Sequence, residues 1–287
     1  MHFYTHDGTP CHTQPTKPGA KNPTRPTAIS DAKAQNLLGS VTTILGIKKN
    51  DALINWLVRM GIETALESQR RPGEEMWKFV NRIKYESTQK SRDATDYGSL
   101  MHEELETWNL SFMEDGVGRY ECPPDTDPIV SGTLEYWKHH ARENLLSILQ
   151  AERVVACAPL GIAGTVDLFA ERIGIGLTIE DYKTSGSMKK DKDGNKQATF
   201  WDSFPIQLAL YARMVKINDG LTEDPRIVSH VLDSTEPSPP YTKIYTVEEQ
   251  EMALEMGLTL TKAWLLDNAY RPDGVDVNEL NWTRFFR

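Results

Sequence analysis

The apolar spacing of this chain changes once, close to residue 150, and that change limits the folds open to it. Ahead of it, Leu53, Ile54, Leu57, Val58, Ala65 and Leu66 recur three and four apart over residues 51–69, behind an Asp51 suited to capping a helix. Helical spacing continues over about 74–90, over 95–110 (Leu100, Met101, Leu105, Trp108) and over 131–150 (Leu134, Trp137, Ala141, Leu145, Ile148). Beyond it, short β-branched segments at 152–158, 164–170 and 177–183 are parted by Pro159-Leu160-Gly161 and Gly174-Ile175-Gly176, which predicts a three-stranded antiparallel meander. A helix over 204–217, strands over 226–232 and 241–246 and a long helix over 247–268 follow. The expected class is α/β: a mixed sheet flanked by helices, with a helical N-terminal half.

Residues 8–27 are rich in Pro, Thr, Gly and Lys without apolar period, so residues 1–30 are expected to form an extended arm. The remainder, 31–287, shows no internal repeat and is expected to be one domain, helical over 31–150 with an α/β core over 151–287. No stretch nears the ~18 unbroken apolar residues of a membrane span, so no membrane partner is expected. The cysteines, Cys11, Cys122 and Cys157, are odd in number and far apart, which disfavours a disulfide framework and a structural zinc site. The N-terminal residues lack the pattern of a signal or transit peptide, and a cytoplasmic location is expected.

The net charge of -9 repels phosphodiesters at long range, so any nucleic-acid contact must come from local patches. Two exist: Lys17, Lys21 and Arg25, and the Gly-containing stretch with Lys183, Lys189, Lys190, Lys192 and Lys196. Each such patch is more often an ordinary solvated loop.

The chemistry concentrates in residues 164–185. Period two places Asp181 and Lys183 on one face of their strand and Glu180 and Tyr182 on the other, so Glu180→Gln is expected to be mild. Hairpin pairing brings Asp167 to within a few ångströms of Asp181, and two such carboxylates suit Mg²⁺ or Mn²⁺. Lys183 would then stand beside a metal-bound water, orienting it, helping to deprotonate it or stabilising charge on an attacked phosphate. Asp and Lys at strand ends are common, and a lone D-x-K triplet carries little. What adds weight is the Gly164-x-x-Asp167 strand upstream and a helix downstream on which Gln207 and Tyr211, four apart, share a face. These two could also simply satisfy each other. His102, on a helix with Glu103 and Glu106 nearby, is a candidate further ligand, and so is Glu152 at the start of the meander.

Gly98 to His102 (G-x-x-x-H), the G-x-V-D ending at Asp167, the D-x-K from Asp181 to Lys183 and the Q-x-x-x-Y from Gln207 to Tyr211 together resemble the PD-(D/E)XK nuclease superfamily, in its RecB-like exonuclease branch with phage recombination exonucleases. The resemblance covers about residues 95–215. It implies a restriction-endonuclease-like core, with His102, Asp167 and Asp181 as metal ligands, Lys183 as the catalytic lysine, and Gln207 and Tyr211 as the branch-specific pair. It also implies an Mg²⁺-dependent DNA exonuclease acting in recombination or replication, in the cytoplasm of a host if phage-encoded. The segment from Ser40 to Leu45, leading to a helix with Trp56, is similar to the start of phage members. Val166 stands where many members have proline, which supplies no ligand. Some members carry an iron-sulfur cluster whose last three cysteines follow the nuclease motifs; no cysteine follows Cys157, so no cluster is expected. There is no Walker-type motif, so a motor, a single-strand annealing protein or a single-strand-binding protein would be a separate partner. The alternatives are a structure- or sequence-specific endonuclease on the same core, a catalytically silent DNA-binding module, and an acidic scaffold with no nucleic-acid role.

Overall fold

A computed structural model describes residues 1–48, 51–276 and 279–280, with side chains for all of these except residues 51–53, 56 and 90–95. The elements are β1 (Phe3–Tyr4), β2 (Thr13–Pro15), β3 (Thr24–Pro26), α1 (Ile29–Gln35), β4 (Leu38–Ser40), α2 (Val41–Leu45), α3 (Asp51–Glu67), α4 (Met76–Asp115), α5 (Pro128–Asn144), β5 (Leu145–Cys157), β6 (Ile162–Arg172), β7 (Gly176–Ser185), β8 (Lys189–Lys190), β9 (Lys196–Gln197), α6 (Ser203–Asp219), β10 (Arg226–Asp233), β11 (Tyr241–Ile244) and α7 (Val247–Asp267). The chain divides into two compact units, Lys48–Glu103 and the combination of Met1–Ile47 with Glu104–Arg287. The cap expected of Asp51 and the apolar positions Leu53 and Trp56 lie outside the described side chains.

In the unit Lys48–Glu103, Arg82 reaches Glu74 at 3.0 Å and Glu86 at 3.2 Å, tying the start of α4 to the turn before it. The helices expected over 74–90 and 95–110 are one continuous α4. No proline interrupts that stretch, and a single helical glycine, Gly98, costs only about 1 kcal/mol.

The larger unit is α/β, with a seven-stranded mixed sheet among the described residues. The β5–β6–β7 meander is antiparallel, β10 lies parallel to β7, and β11 closes that edge antiparallel to β10. The helix expected to reach residue 150 stops at Asn144, and residues 145–150 open β5. Leu145, Ile148 and Leu149 fit a helical period, yet pairing with β6 through two register shifts satisfies their backbone in the sheet. The N-terminal stretch holds a hairpin, β2–β3, and a strand, β1, that joins the main sheet through β4, with Phe3 fully buried.

Along one edge β6 pairs with β5 throughout; along the other it pairs first with β4, parallel at Ile162 and Ala163, and later with β7 from Leu168 onward. Among the described residues no strand is laddered to residues 164–167 along that second edge, so the sheet forks there. A fork frees side chains at strand ends from cross-strand packing and opens a crevice, the usual place for a site in such sheets.

Helices cover both faces. α6 is apolar nearly all round, with Ile206, Leu208, Leu210, Met214 and Val215 buried, each contributing about 1.5–3 kcal/mol. It sits between the sheet and α7, where Gly257 admits Leu210; a Cβ there would meet the leucine at 2.7 Å. Pro205 is tolerated in its first turn, where an amide would lack a helical partner. On the other face α5 begins at Pro128, capped by Asp127, and packs Trp137 edge-on against Tyr182 and His230. No described helix is long and apolar enough to cross a membrane.

The two faces of β7 differ as expected, and the burial of Glu180 means that Glu180→Gln should cost stability. Its carboxylate is wholly buried, accepting from Arg172 Nη1 at 3.0 and 3.1 Å and from Thr178 Oγ1 at 2.8 Å, with His230 Nε2 at 2.6 Å. Arg172 is on β6 and His230 on β10, so the sequence around Glu180 does not display its partners.

Candidate metal centre

At the fork three carboxylates stand in one row. Leu168 pairs with Glu180, so Asp167 is the next position opposite Asp181; Ala151 pairs with Leu168 and Arg153 with Val166, so Glu152 is the position opposite Asp167. Directly opposed positions on adjacent strands lie about 5 Å apart on one face. Accordingly, a carboxylate oxygen of Glu152 and one of Asp167 are within 4.8 Å of each other. Asp167 Oδ2 accepts from the Tyr182 amide at 3.0 Å, bridging the fork.

Glu152 interrupts its strand. It adopts a left-handed backbone, φ 46°, inside β5, where a non-glycine residue costs of order 1–3 kcal/mol. It was expected at the start of a strand; it sits instead eight positions into a longer one, between Ala151 and Arg153, which keep one register with β6.

Charge in this row is badly balanced. Burial, then Asp167, Glu106 and Asp181, push the Glu152 carboxyl up to about 8. Burial also raises Asp167, against the opposing pull of Lys183. Lys183 Nζ lies 2.7 Å from Oδ1 and 2.6 Å from Oδ2 of Asp181. Burial alone would depress this ammonium, but Asp181, Asp167 and Glu152 outweigh it and hold it above its ordinary value. One ammonium thus answers Glu152, Asp167 and Asp181, while Glu106 adds further negative charge beside Glu152. Hard oxygen donors with surplus negative charge in a half-buried crevice fit a divalent cation such as Mg²⁺ or Mn²⁺.

The helical pair is also in place. Gln207 donates from Nε2 to Asp181 Oδ1 at 3.3 Å. Tyr211, buried, bonds Gln207 and packs on Gly164, where a Cβ would fall 2.7 Å from its ring. Gly164 in the strand ahead of Asp167 therefore makes room for Tyr211. Burial and the neighbouring Asp181 and Asp167 raise the phenol, keeping it protonated. His102 is half-buried on α4 at the end of the Lys48–Glu103 unit, four residues ahead of Glu106 and on the same helix face.

Of the lysines expected to meet a polyanion, Lys189, Lys190 and Lys192 are exposed on the β8–β9 hairpin. Lys196 is held at 2.6 Å by Asp233 and 2.9 Å by Glu236, so it anchors the hairpin to the end of β10. Phe204 was not anticipated: Lys183 Nζ stands 5.9 Å from its ring centroid, within cation–π range. It lies three residues ahead of Gln207, so the helical period was the signal available.

The surplus charge has a thermodynamic signature. A carboxyl raised above its unfolded value adds stability at low pH that is lost as pH climbs through its folded value. In EDTA the protein is therefore expected to lose thermal stability between about pH 4.5 and 8, the Glu152 window. Mg²⁺ should raise the melting temperature more at pH 8 than at pH 5.5, because ligands must be ionised to bind it. Glu152→Gly, relieved of both the carboxyl and the left-handed strain, should be more stable in EDTA by about 1 kcal/mol and show a flatter pH dependence. A wild-type melting temperature indifferent to pH and Mg²⁺ would count against a metal centre.

No family model matches the chain, and a search of curated proteins finds no match.

Proposed function

We propose that this chain is a divalent-metal-dependent deoxyribonuclease of the PD-(D/E)XK kind that hydrolyses phosphodiester bonds at DNA ends. The observation that carries the reading is the row of Glu152, Asp167 and Asp181 across three strands, with the Lys183 ammonium against Asp181. Those three carboxylates would hold Mg²⁺ or Mn²⁺, and His102 is the imidazole that the resemblance assigns to the same ion. When bound, the metal supplies a polarised phosphoryl oxygen and a water of lowered pKa.

The chain's own groups have distinct parts. Hydrolysis adds a water oxygen to phosphorus, breaks the bond to one ester oxygen and delivers a proton to the oxygen that leaves. Lys183, held protonated by its carboxylates, is suited to stabilising charge on the attacked phosphate rather than accepting a proton. Gln207 fixes the Asp181 carboxylate, and Tyr211 behind it fixes Gln207. The exposed Lys189, Lys190 and Lys192 offset the net charge of -9 beside the crevice, where a DNA backbone would approach. DNA is the partner this implies, in recombination or replication within the cytoplasm, with any motor or annealing activity on another chain.

End-labelled linear DNA, single- and double-stranded, incubated beside a covalently closed circle with Mg²⁺ or EDTA, tests the reading. Loss of linear DNA alone, in Mg²⁺ alone, is the expected result. Cutting of the circle would turn the assignment to an endonuclease, and binding without cleavage of any substrate would leave a silent binding module.

A further inference from the structure

The chain leaves the carboxylate row at the end of β7, with Lys183, and returns to it on α6, with Gln207. The excursion between them is therefore anchored beside Asp181 at both ends, and Lys196 ties its hairpin to Asp233 at the end of β10. It contains the β8–β9 hairpin with its exposed lysines, then a short link ending in Trp201, Asp202 and Ser203.

Trp201 is 50% exposed, unusual for the largest apolar side chain of a folded protein. Its carbonyl accepts from the Phe204 amide at 3.0 Å, and a turn of that kind brings its ends to within about 7 Å. Phe204 lies against the Lys183 ammonium, shares a helix face with Gln207, and Gln207 in turn meets Asp181. Tyr211, Gln207, Phe204 and Trp201 thus form a polar and aromatic series along one stretch of chain, buried at one end and exposed at the other. Along the chain the exposed indole comes between the lysine hairpin and the helix that carries Gln207.

We infer that Trp201 is a stacking platform for an unpaired nucleobase next to the phosphate held at Lys183, which makes a single-stranded DNA end the substrate of this site. The inference deepens the nuclease reading and rests on it. Inside a duplex both faces of each base are covered by neighbours, whereas an unpaired base offers a free face to an indole. Stacking of that kind, combined with a cationic groove along the backbone, is how single strands are bound without reading sequence. Lys189, Lys190 and Lys192 supply the cations here, on the same excursion as the indole.

The test measures binding apart from cleavage. A fluorescein-labelled oligothymidylate of twenty nucleotides is titrated in Ca²⁺ against the wild type, Trp201→Ala and Trp201→Phe, and cleavage in Mg²⁺ is followed in parallel. Trp201→Ala should weaken binding about tenfold or more, Trp201→Phe far less, and abasic terminal nucleotides should erase the difference between wild type and Trp201→Ala. The blunt duplex should bind both proteins alike. Equal affinity of wild type and Trp201→Ala for the single strand overturns the platform, even if the wild type cleaves DNA. Weaker binding by Trp201→Ala with no cleavage by the wild type upholds the platform and removes the nuclease reading. Failure of the wild type to bind the oligonucleotide overturns the platform, and the nuclease reading falls with it only if linear duplex is not cleaved in Mg²⁺ either.

Discussion

Arg172→Leu is expected to lower the unfolding free energy by about 3–5 kcal/mol, the largest loss foreseen for any single side chain in the sheet. Arg172 is 3% exposed and Glu180 wholly buried, with the guanidinium in contact with both carboxylate oxygens. Removing the cation strands an anion in a site that excludes water, and Thr178 and His230 cannot replace a full charge. Glu180→Gln should also destabilise, because it leaves the guanidinium as the unpaired charge. Arg172→Leu combined with Glu180→Leu should recover part of the loss, since no unpaired charge stays buried, although His230 Nε2 and Thr178 Oγ1 lose the carboxylate they meet. Urea unfolding of the three variants decides the point; a single substitution within 1 kcal/mol of wild type would show that the pair is solvated. Acid should find the same weakness. Despite its burial, Glu180 is held down to about 2, mainly by His230 and Arg172, so the stability it lends is present above about 4.5 and lost as pH falls toward 2. His140, 3.2 Å from Arg172 and lowered by burial to about 3, adds a loss that begins as pH drops below about 6.5.

The Glu180 network shows where sequence reading loses its grip. Period two correctly separated Glu180 from Asp181, because alternation is local to one strand. What a face packs against is not local: Arg172 arrives through the β6–β7 hairpin, and His230, 50 positions from Glu180, through a parallel crossover. The meander, α6 and α7 were legible for the same reason that Asp167 and Asp181 were, since apolar period and turn residues lie in contiguous chain. β1 and β4 were not, being two and three residues long and joined to β6 across more than a hundred positions. The boundary at residue 145 was missed because its leucines and isoleucine satisfy both periods, and only the partner strand decides between them. Glu152 was singled out for its carboxylate; its left-handed backbone has no signature in residue type, since nothing but the surrounding ladder imposes it.

Lys183→Ala and Asp181→Asn should each reduce Mg²⁺-dependent cleavage by roughly 10²–10³-fold or more, and their effects on metal binding should have opposite signs. The ammonium of Lys183 is the internal counter-charge of Glu152, Asp167 and Asp181. Taking it away leaves the carboxylates with more surplus charge, so Lys183→Ala should bind Mg²⁺ more tightly than wild type while turning over less DNA. Asp181→Asn removes a hard anionic donor along with the partner of Lys183 and Gln207, so metal affinity and turnover should fall together. Calorimetric titration with Mg²⁺ beside single-turnover cleavage separates the two. If Lys183 merely braced the crevice, its loss would loosen the carboxylates and weaken the metal as well. A tighter site that no longer cleaves is the outcome expected of a group that acts in the reaction and not of one that braces the crevice.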